Sequence, residues 1–312
     1  MDEYAWSHPA PVLRPWIGHY AGYRQCGVAP ARHRGLPSPY LTLIFTLDDP
    51  LVVAAHPDPR QAPGRYRSLV GGLHLGPALI THDGRQSGVQ VAVRPLGCRA
   101  LFGLPAAELA NVDVDATAVL GDRFVGEVRD RLCAAAGWPA RFAVLDAMLG
   151  GLLREDTGPS WARHAVRRLF GAGPVSVAGL AAEVGWSPRH LTDRFRAEVG
   201  IRPKEAARVA RFDRARRAIR PGVRLAEVAA AHGYADQSHL VRDFRAFAGC
   251  APSRWLADEF EDFGFVQARA ELDGGFEDFG FVRTHAELDG GFEDFGFVQA
   301  HAGPGDDDGR YD

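Results

Sequence analysis

The chain has 312 residues, 46% of them hydrophobic, a formal net charge of −3 and a pI near 6.5. That length holds about two domains with real cores, and the composition is that of a globular protein. No apolar run is long enough to span a bilayer, and the acidic start MDEYAW lacks a leader's basic and hydrophobic regions, so cytoplasm is the expected compartment.

The first hundred or so residues read as β-rich. Residues 40–47, YLTLIFTL, are aromatic and β-branched, and Asp48, Asp49 and Pro50 punctuate them before LVVAA resumes, which predicts a hairpin. Residues 17–24, 68–75, 77–81 and 89–94 are further strand candidates separated by Gly and Pro, and a small barrel or sandwich fits them. His56, His74 and His82 are the histidines to weigh as metal ligands. They form no H-x-H pair, and Asp83 is the only acidic residue close to any of them, so no metal site is expected. Ser87, His82 and Asp83 lie near one another but lack a nucleophile elbow, so no catalytic constellation is expected either. The cysteines, Cys26, Cys98, Cys133 and Cys250, are too scattered for a disulfide framework or a C-x-x-C site.

Leu120, Phe124, Val128 and Leu132 recur every four residues. Phe142, Leu145, Leu149 and Leu153 come after a break at Gly137, Trp138 and Pro139, predicting two amphipathic helices. Their apolar faces suit either pairing with a second copy or packing on their own β-rich domain. Thr157, Gly158, Pro159 and Ser160 mark the expected boundary with a C-terminal domain.

Two later segments share one plan. In residues 177–203, VAGLAAEVGWSPRHLTDRFRAEVGIRP, Leu180, Ala181 and Val184 line a short helix that stops at Gly185. After a turn, a second helix carries Leu191 and Phe195 on one face and ends near Gly200. Residues 224–252, RLAEVAAAHGYADQSHLVRDFRAFAGCAP, repeat this with Val228, Gly233, Leu240, Phe244 and Gly249. Gly185 and Gly233 are 48 apart, whereas Leu191/Leu240 and Phe195/Phe244 are 49 apart, so the second turn holds one more residue. Ser187 and Asp236 precede the second helix of each copy as N-caps, and residues 203–219 supply a linking helix.

This duplicated pattern, with GYADQSHLVRDFRAFAG in its second half, resembles the AraC/XylS family of bacterial transcription regulators over residues 160–255. The resemblance implies an all-α C-terminal domain whose two helix-turn-helix units lie either side of the linking helix and enter successive major grooves of double-stranded DNA. With the core set Leu180, Leu191, Phe195, Val228, Leu240 and Phe244 facing inward, the base-facing candidates are Arg189, Thr192 and Asp193 in the first unit. Gln237, Ser238 and Arg242 are their counterparts in the second. Arg196 and Arg245 suit phosphate, and Asp193 could accept from a cytosine amino group but would repel phosphate. The bland alternative for each is an ordinary solvated helix position. The resemblance further implies a cupin-like N-terminal domain that binds a small-molecule effector or pairs two subunits, and an activator's contact with RNA polymerase. It implies no cofactor and no enzymatic activity. The segments HRGLPSPYLTLIF, VGGLH and GVQVAVRPLGCRALFGLPAAEL resemble a branch of such regulators whose N-terminal domain has no settled ligand.

Charge partition points the same way. Residues 161–257 carry 18 Lys plus Arg against 8 Asp plus Glu, residues 1–160 balance at 15 against 15, and residues 258–312 hold 3 against 16. A near-neutral chain thus conceals a block of +10, suited to a polyanion, beside a tail of −13. In that tail FEDFGFV recurs at Phe260, Phe276 and Phe292 with a period of 16, too rich in Gly and acid to promise a core, so a disordered extension is expected. Four segments result: a β-rich regulatory domain (1–112), connecting or dimerising helices (113–159), the DNA-binding domain (160–257) and the tail (258–312). Two other readings compete: an architectural protein binding DNA through charge alone, and a DNA-repair enzyme fused to the same module, which would need a reactive cysteine.

Overall fold

The computed structural model describes residues 2–155, 158–171, 173, 175–261 and 282–284. Strands β1 (Asp2–Ser7), β2 (Ile17–Cys26), β3 (Ala31–Gly35), β4 (Leu41–Thr46), β5 (Leu51–Ala55), β6 (Gly64–Tyr66), β7 (Ser68–Gly71), β8 (Ala78–His82) and β9 (Arg85–Val93) come first. Helix α1 (Gly97–Phe102), a 3-10 turn at Ala106–Leu109 and β10 (Asp113–Asp115) come next, and β11 (Val282–Thr284) returns from the tail. All pairings are antiparallel, in one sheet of order β10-β7-β4-β9-β2-β1-β11 and a second of order β3-β8-β5-β6.

The larger sheet is a middle layer. Alternate residues of β4, Leu41, Leu43 and Phe45, join Val70, Val89, Val91 and Val93 in a core beneath helices, while Ile44 and Leu69 turn the other way to meet Leu51, Val53 and Ile80 of the second sheet. β9 lies between the two layers and is buried almost throughout, its apolar end at Val89, Val91, Ala92 and Val93 and its polar Gln86, Ser87 and Gln90 alike.

The hairpin expected across Asp48, Asp49 and Pro50 does not form. β4 pairs with β7 and β9, whereas β5 pairs with β6 and β8, so this turn carries the chain from one sheet to the other. Each strand needs neighbours on its own sheet and an apolar face toward the gap. Crossing the gap gives both, and a two-strand ribbon would not.

Helices α2 (Thr117–Leu120), α3 (Asp122–Ala134) and α4 (Gly137–Gly150) cover the middle sheet. The Gly137-Trp138-Pro139 break is the first turn of α4, where proline loses no hydrogen bond. Trp138 lies flat on β2 at Gly22, where a Cβ would sit 2.3 Å from the indole ring, and its Nε1 donates to Glu3 at 3.2 Å. The Tyr20 hydroxyl donates to Asp146 at 3.0 Å, and Val125, Val128, Leu132, Phe142, Leu145 and Leu149 are buried in the same core. The apolar faces of these helices are therefore occupied within the chain itself.

Then come α5 (Ser160–Phe170), α6 (Val177–Glu183), α7 (Pro188–Val199), α8 (Pro203–Ala218), α9 (Leu225–Ala231), α10 (Gln237–Ala248) and α11 (Pro252–Glu261). Two clusters organise them: α5, α6 and α7 continue the core beneath the middle sheet, and α8 to α11 close around Phe212, Phe244 and Trp255. Thr157 of the expected boundary and the tail repeats at Phe276 and Phe292 lie outside the described residues. Of the tail, α11 continues to Glu261 and β11 pairs with β1, Tyr4 opposite Arg283.

Candidate nucleic-acid interface

The two copies fold alike, for legible reasons. In the first, Ser176 caps α6 by accepting from Gly179 N at 3.2 Å. Gly185 turns the chain with φ +72°, Ser187 accepts from His190 N at 3.2 Å, and α7 ends at Gly200 with φ +93°. In the second, Gly233 makes the turn, Asp236 accepts from His239 N at 2.6 Å, and α10 ends at Gly249 with φ +70°. Trp186 stands edge-on to His190 at 4.6 Å, and Tyr234 to His239 at 5.1 Å. Trp186 and Tyr234 are 48 apart, while Ser187 and Asp236 are 49 apart, which places the extra residue at Ala235.

Leu180, Leu191, Phe195, Val228, Leu240 and Phe244 are each no more than 3% exposed. Burying one such side chain stabilises by about 1.5–3 kcal/mol, enough for a handful of them to hold a short helix pair together. The opposite faces are polar and open. Arg189, Asp193 and Arg196 are exposed on α7, and Gln237, Ser238, Arg242 and Arg245 on α10. Thr192 is half-buried and its hydroxyl donates to the Pro188 carbonyl at 2.8 Å, which leaves it lone pairs and a methyl group to present. Arg242 donates from Nε to the Ser238 carbonyl at 3.3 Å, so its two terminal nitrogens remain the outward donors.

The linking helix α8 braces the second unit. Asp243 of α10 accepts from Arg208 at 2.9 Å and Arg211 at 2.8 Å, and Phe247 and Phe244 meet Phe212 at ring distances of 4.9 and 5.2 Å. Within α8 the buried Asp213 accepts from Arg216 at 2.9 Å and Arg217 at 2.8 Å. Burial opposes the charged form of Asp213, but the two arginines outweigh it and hold the carboxyl below the usual aspartate range.

Both units also rest on the β-rich domain. Arg99 of α1 grips Glu198 of α7 with two hydrogen bonds, of 2.5 and 2.9 Å. Leu36 and Leu75 pack into the second unit's core, and Arg34 pairs with Asp258 of α11 at 2.7 Å. Burial, then the charge of Arg217 on α8, pushes His19 of β2 down to about 3. None of these contacts was legible from composition or motif.

Elsewhere in the β-rich domain a cavity of about 330 Å³ opens between the sheets, lined by Tyr23, Thr46, Thr81, His82, Gln86 and Ser87 beside the Asp49–Arg85 pair. Each of the three histidines weighed as metal ligands has a hydrogen bond of its own. His56 meets Asp113 at 2.6 Å, His74 the Gly76 carbonyl at 2.5 Å, and His82 accepts from Gly84 N at 3.2 Å. Among the described residues no group of three or more His, Cys, Asp or Glu is placed to hold a metal ion, and no helix is long and apolar enough to cross a membrane.

A family described as a helix-turn-helix domain matches residues 180–258. The chain carries an AraC-type helix-turn-helix domain. Residues 7–115 match a domain of unknown function, DUF6597. Among solved structures, ToxT from Vibrio cholerae is 10% identical, covering 77% of this chain and 97% of that one with a TM-score of 0.45. An unsaturated fatty acid-bound ToxT is 9% identical over 82% and 94% with a TM-score of 0.41. A DNA-binding transcriptional dual regulator from Escherichia coli K-12 is 22% identical over 35% and 99% with a TM-score of 0.28. No curated protein matches at a significant level. That match begins at Leu180, inside α6, whereas α5 before it already packs against α7 and α8.

Proposed function

We propose that this protein is a sequence-specific DNA-binding transcription regulator that sets α7 and α10 into successive major grooves on one face of the duplex. The observation that carries the reading is the pair of units of one plan, each with a buried inner face and an open polar outer face, inside a block of net charge +10. Arg189 and Arg242 have the forked donors that read guanine, Gln237 the amide that reads adenine, and Ser238 and Thr192 smaller groups for base edges or methyls. Asp193 takes the cytosine amino group, and Arg196 and Arg245 clamp phosphates.

The β-rich domain is the regulatory part, and the cavity between its sheets is the place for a small-molecule effector. Such a ligand acts only by binding the DNA-competent arrangement differently from the alternative. In keeping with the AraC type, the protein works in the cytoplasm, activates transcription through RNA polymerase and catalyses no reaction. Dimer formation would use surfaces other than the buried faces of α3 and α4. The repair-enzyme reading needs a reactive thiol, and Cys98 does not suit that role, because burial pushes its thiol up to about 12.

The test is selection of binding sites from a random duplex library with the full chain at about 150 mM salt, where charge-only binding is weakened. Enrichment of two short boxes supports the regulator, and binding without enrichment supports an architectural protein.

A further inference from the structure

The two units are duplicates, so a position at which their chemistry differs is informative. The offset of 49 that aligns Leu191 with Leu240 and Phe195 with Phe244 aligns Glu198 with Phe247. Phe247 is 2% exposed and packs on Phe212 of the linking helix, as an inner-face residue should. Glu198 is 7% exposed at the same place in α7, and a buried carboxylate is costly unless it is paired. Its partner comes from outside the DNA-binding region: Arg99 on α1 of the β-rich domain, in a two-bond fork at 2.5 and 2.9 Å.

Three further observations converge on this point. The connecting segment passes over the pair at Gly158, where a Cβ would lie 3.3 Å from Arg99 Cδ and 3.7 Å from Glu198 Oε1. At Gly200 a Cβ would lie 2.5 Å from Ala110 Cβ and 3.1 Å from Ala107 Cα, so α7 ends pressed against the turn Ala106–Leu109 and the residue after it. The equivalent Gly249 has room, with Pro77 Cγ 3.5 Å away. The first unit is thus joined to the β-rich domain by an ion pair and close backbone packing. The second is braced chiefly by its own linking helix through Asp243 and Phe247.

We infer that Arg99 and Glu198 are positioning residues: they form the mount through which the β-rich domain holds α7, and hence the first recognition surface, in its orientation, at a point the second unit does not share. A change in the β-rich domain that shifts α1 reaches the first unit directly, whereas the second is held by α8 and meets that domain elsewhere, at Leu36, Leu75 and Arg34. The role on DNA rests on the regulator reading, but the mount itself does not.

The test uses hydrogen exchange on the full chain without DNA. Arg99→Glu places two carboxylates together, and it should speed exchange in residues 195–200 by about tenfold or more through local opening while leaving residues 240–249 unchanged. Arg99→Glu combined with Glu198→Arg should restore protection, and Glu198→Gln, which keeps the shape, should give a smaller change of the same pattern. Unchanged exchange in α7, equal acceleration in α7 and α10, or failure of the swap to restore protection would each overturn the inference. On a duplex selected by the wild-type chain, Arg99→Glu should then bind about tenfold more weakly and the swap should recover the loss. A wild-type chain that selects no sequence would count against the regulator reading and leave the exchange result standing.

Discussion

Asp243 gives the sharpest energetic prediction, because the duplicate supplies its own control. Its carboxylate joins α10 to α8 through Arg208 at 2.9 Å and Arg211 at 2.8 Å, with the Asp243 side chain 8% exposed and those of the arginines 44% and 24% exposed. A charge-assisted hydrogen bond contributes about 1.5–3 kcal/mol when sheltered, and an exposed ion pair about 0–1 kcal/mol. The Arg211 bond falls in the first class and the Arg208 bond near the second, so Asp243→Ala should cost about 2–3 kcal/mol locally. Asp243→Asn, which keeps one acceptor oxygen, should cost about half as much. The position 49 residues earlier holds the exposed Arg194, and Arg194→Ala should stay within about 0.5 kcal/mol. Burial opposes the charged form of Asp243, but the bonds from Arg211 and Arg208 outweigh it and hold its pKa below the ordinary aspartate value. A depressed folded pKa means that the contribution is complete above the unfolded value of about 3.9 and is lost as pH falls through the folded one. The gap between wild type and Asp243→Ala should therefore be flat from pH 7 to about 5 and narrow below about 4. Exchange protection of α10 amides in the full chain measures it. A cost under about 0.5 kcal/mol, or a gap that does not change with pH, would refute the reasoning.

Three further outcomes are expected from the same structure. Gly200→Ala should destabilise by about 2 kcal/mol or more, since it combines a left-handed backbone with a 2.5 Å contact at Ala110. Gly249→Ala meets nothing nearer than 3.5 Å, so only the backbone strain of about 1 kcal/mol applies, and equal urea sensitivity of the two variants would contradict the close approach. Alkylation of the native chain at pH 8 should label the exposed Cys133 and spare Cys98, whose thiol burial pushes up to about 12; comparable labelling of Cys98 would show that the site is open. Arg242→Ala should weaken binding to the preferred duplex by about 1–3 kcal/mol if Arg242 reads a base, and an equal loss on every sequence would move it to the phosphate contacts.

The C-terminal half was legible because its signals are local and doubled. Leu191 and Phe195 repeat as Leu240 and Phe244, and Ser187 and Asp236 sit where capping chemistry requires them. The β-rich half was less so. β1 (DEYAWS) and β3 (ARHRG) carry charged residues, β6 and β10 are three residues long, and none has the apolar alternation that announces a strand. The Asp48-Asp49-Pro50 turn looks the same whether it joins partners in one sheet or crosses between two; only the pairing of β4 with β7 and β9 decides it. Glu198 reads as a solvated helix residue until Arg99, 99 residues away, is placed beside it. Comparing the two copies position by position would have flagged it, as the one buried slot that is Phe in one unit and Glu in the other.

Paired recognition on one face of DNA is tested most directly by phasing. The affinity of the full chain is measured on a duplex selected by it, then on the same duplex with about 5 bp, half of a ~10.5 bp turn, inserted between the two boxes. Because α7 and α10 are fixed to one frame by α8 and the β-rich domain, affinity should fall to that of a duplex with a single box. Affinity unchanged by the insertion would mean that the two helices do not read DNA together.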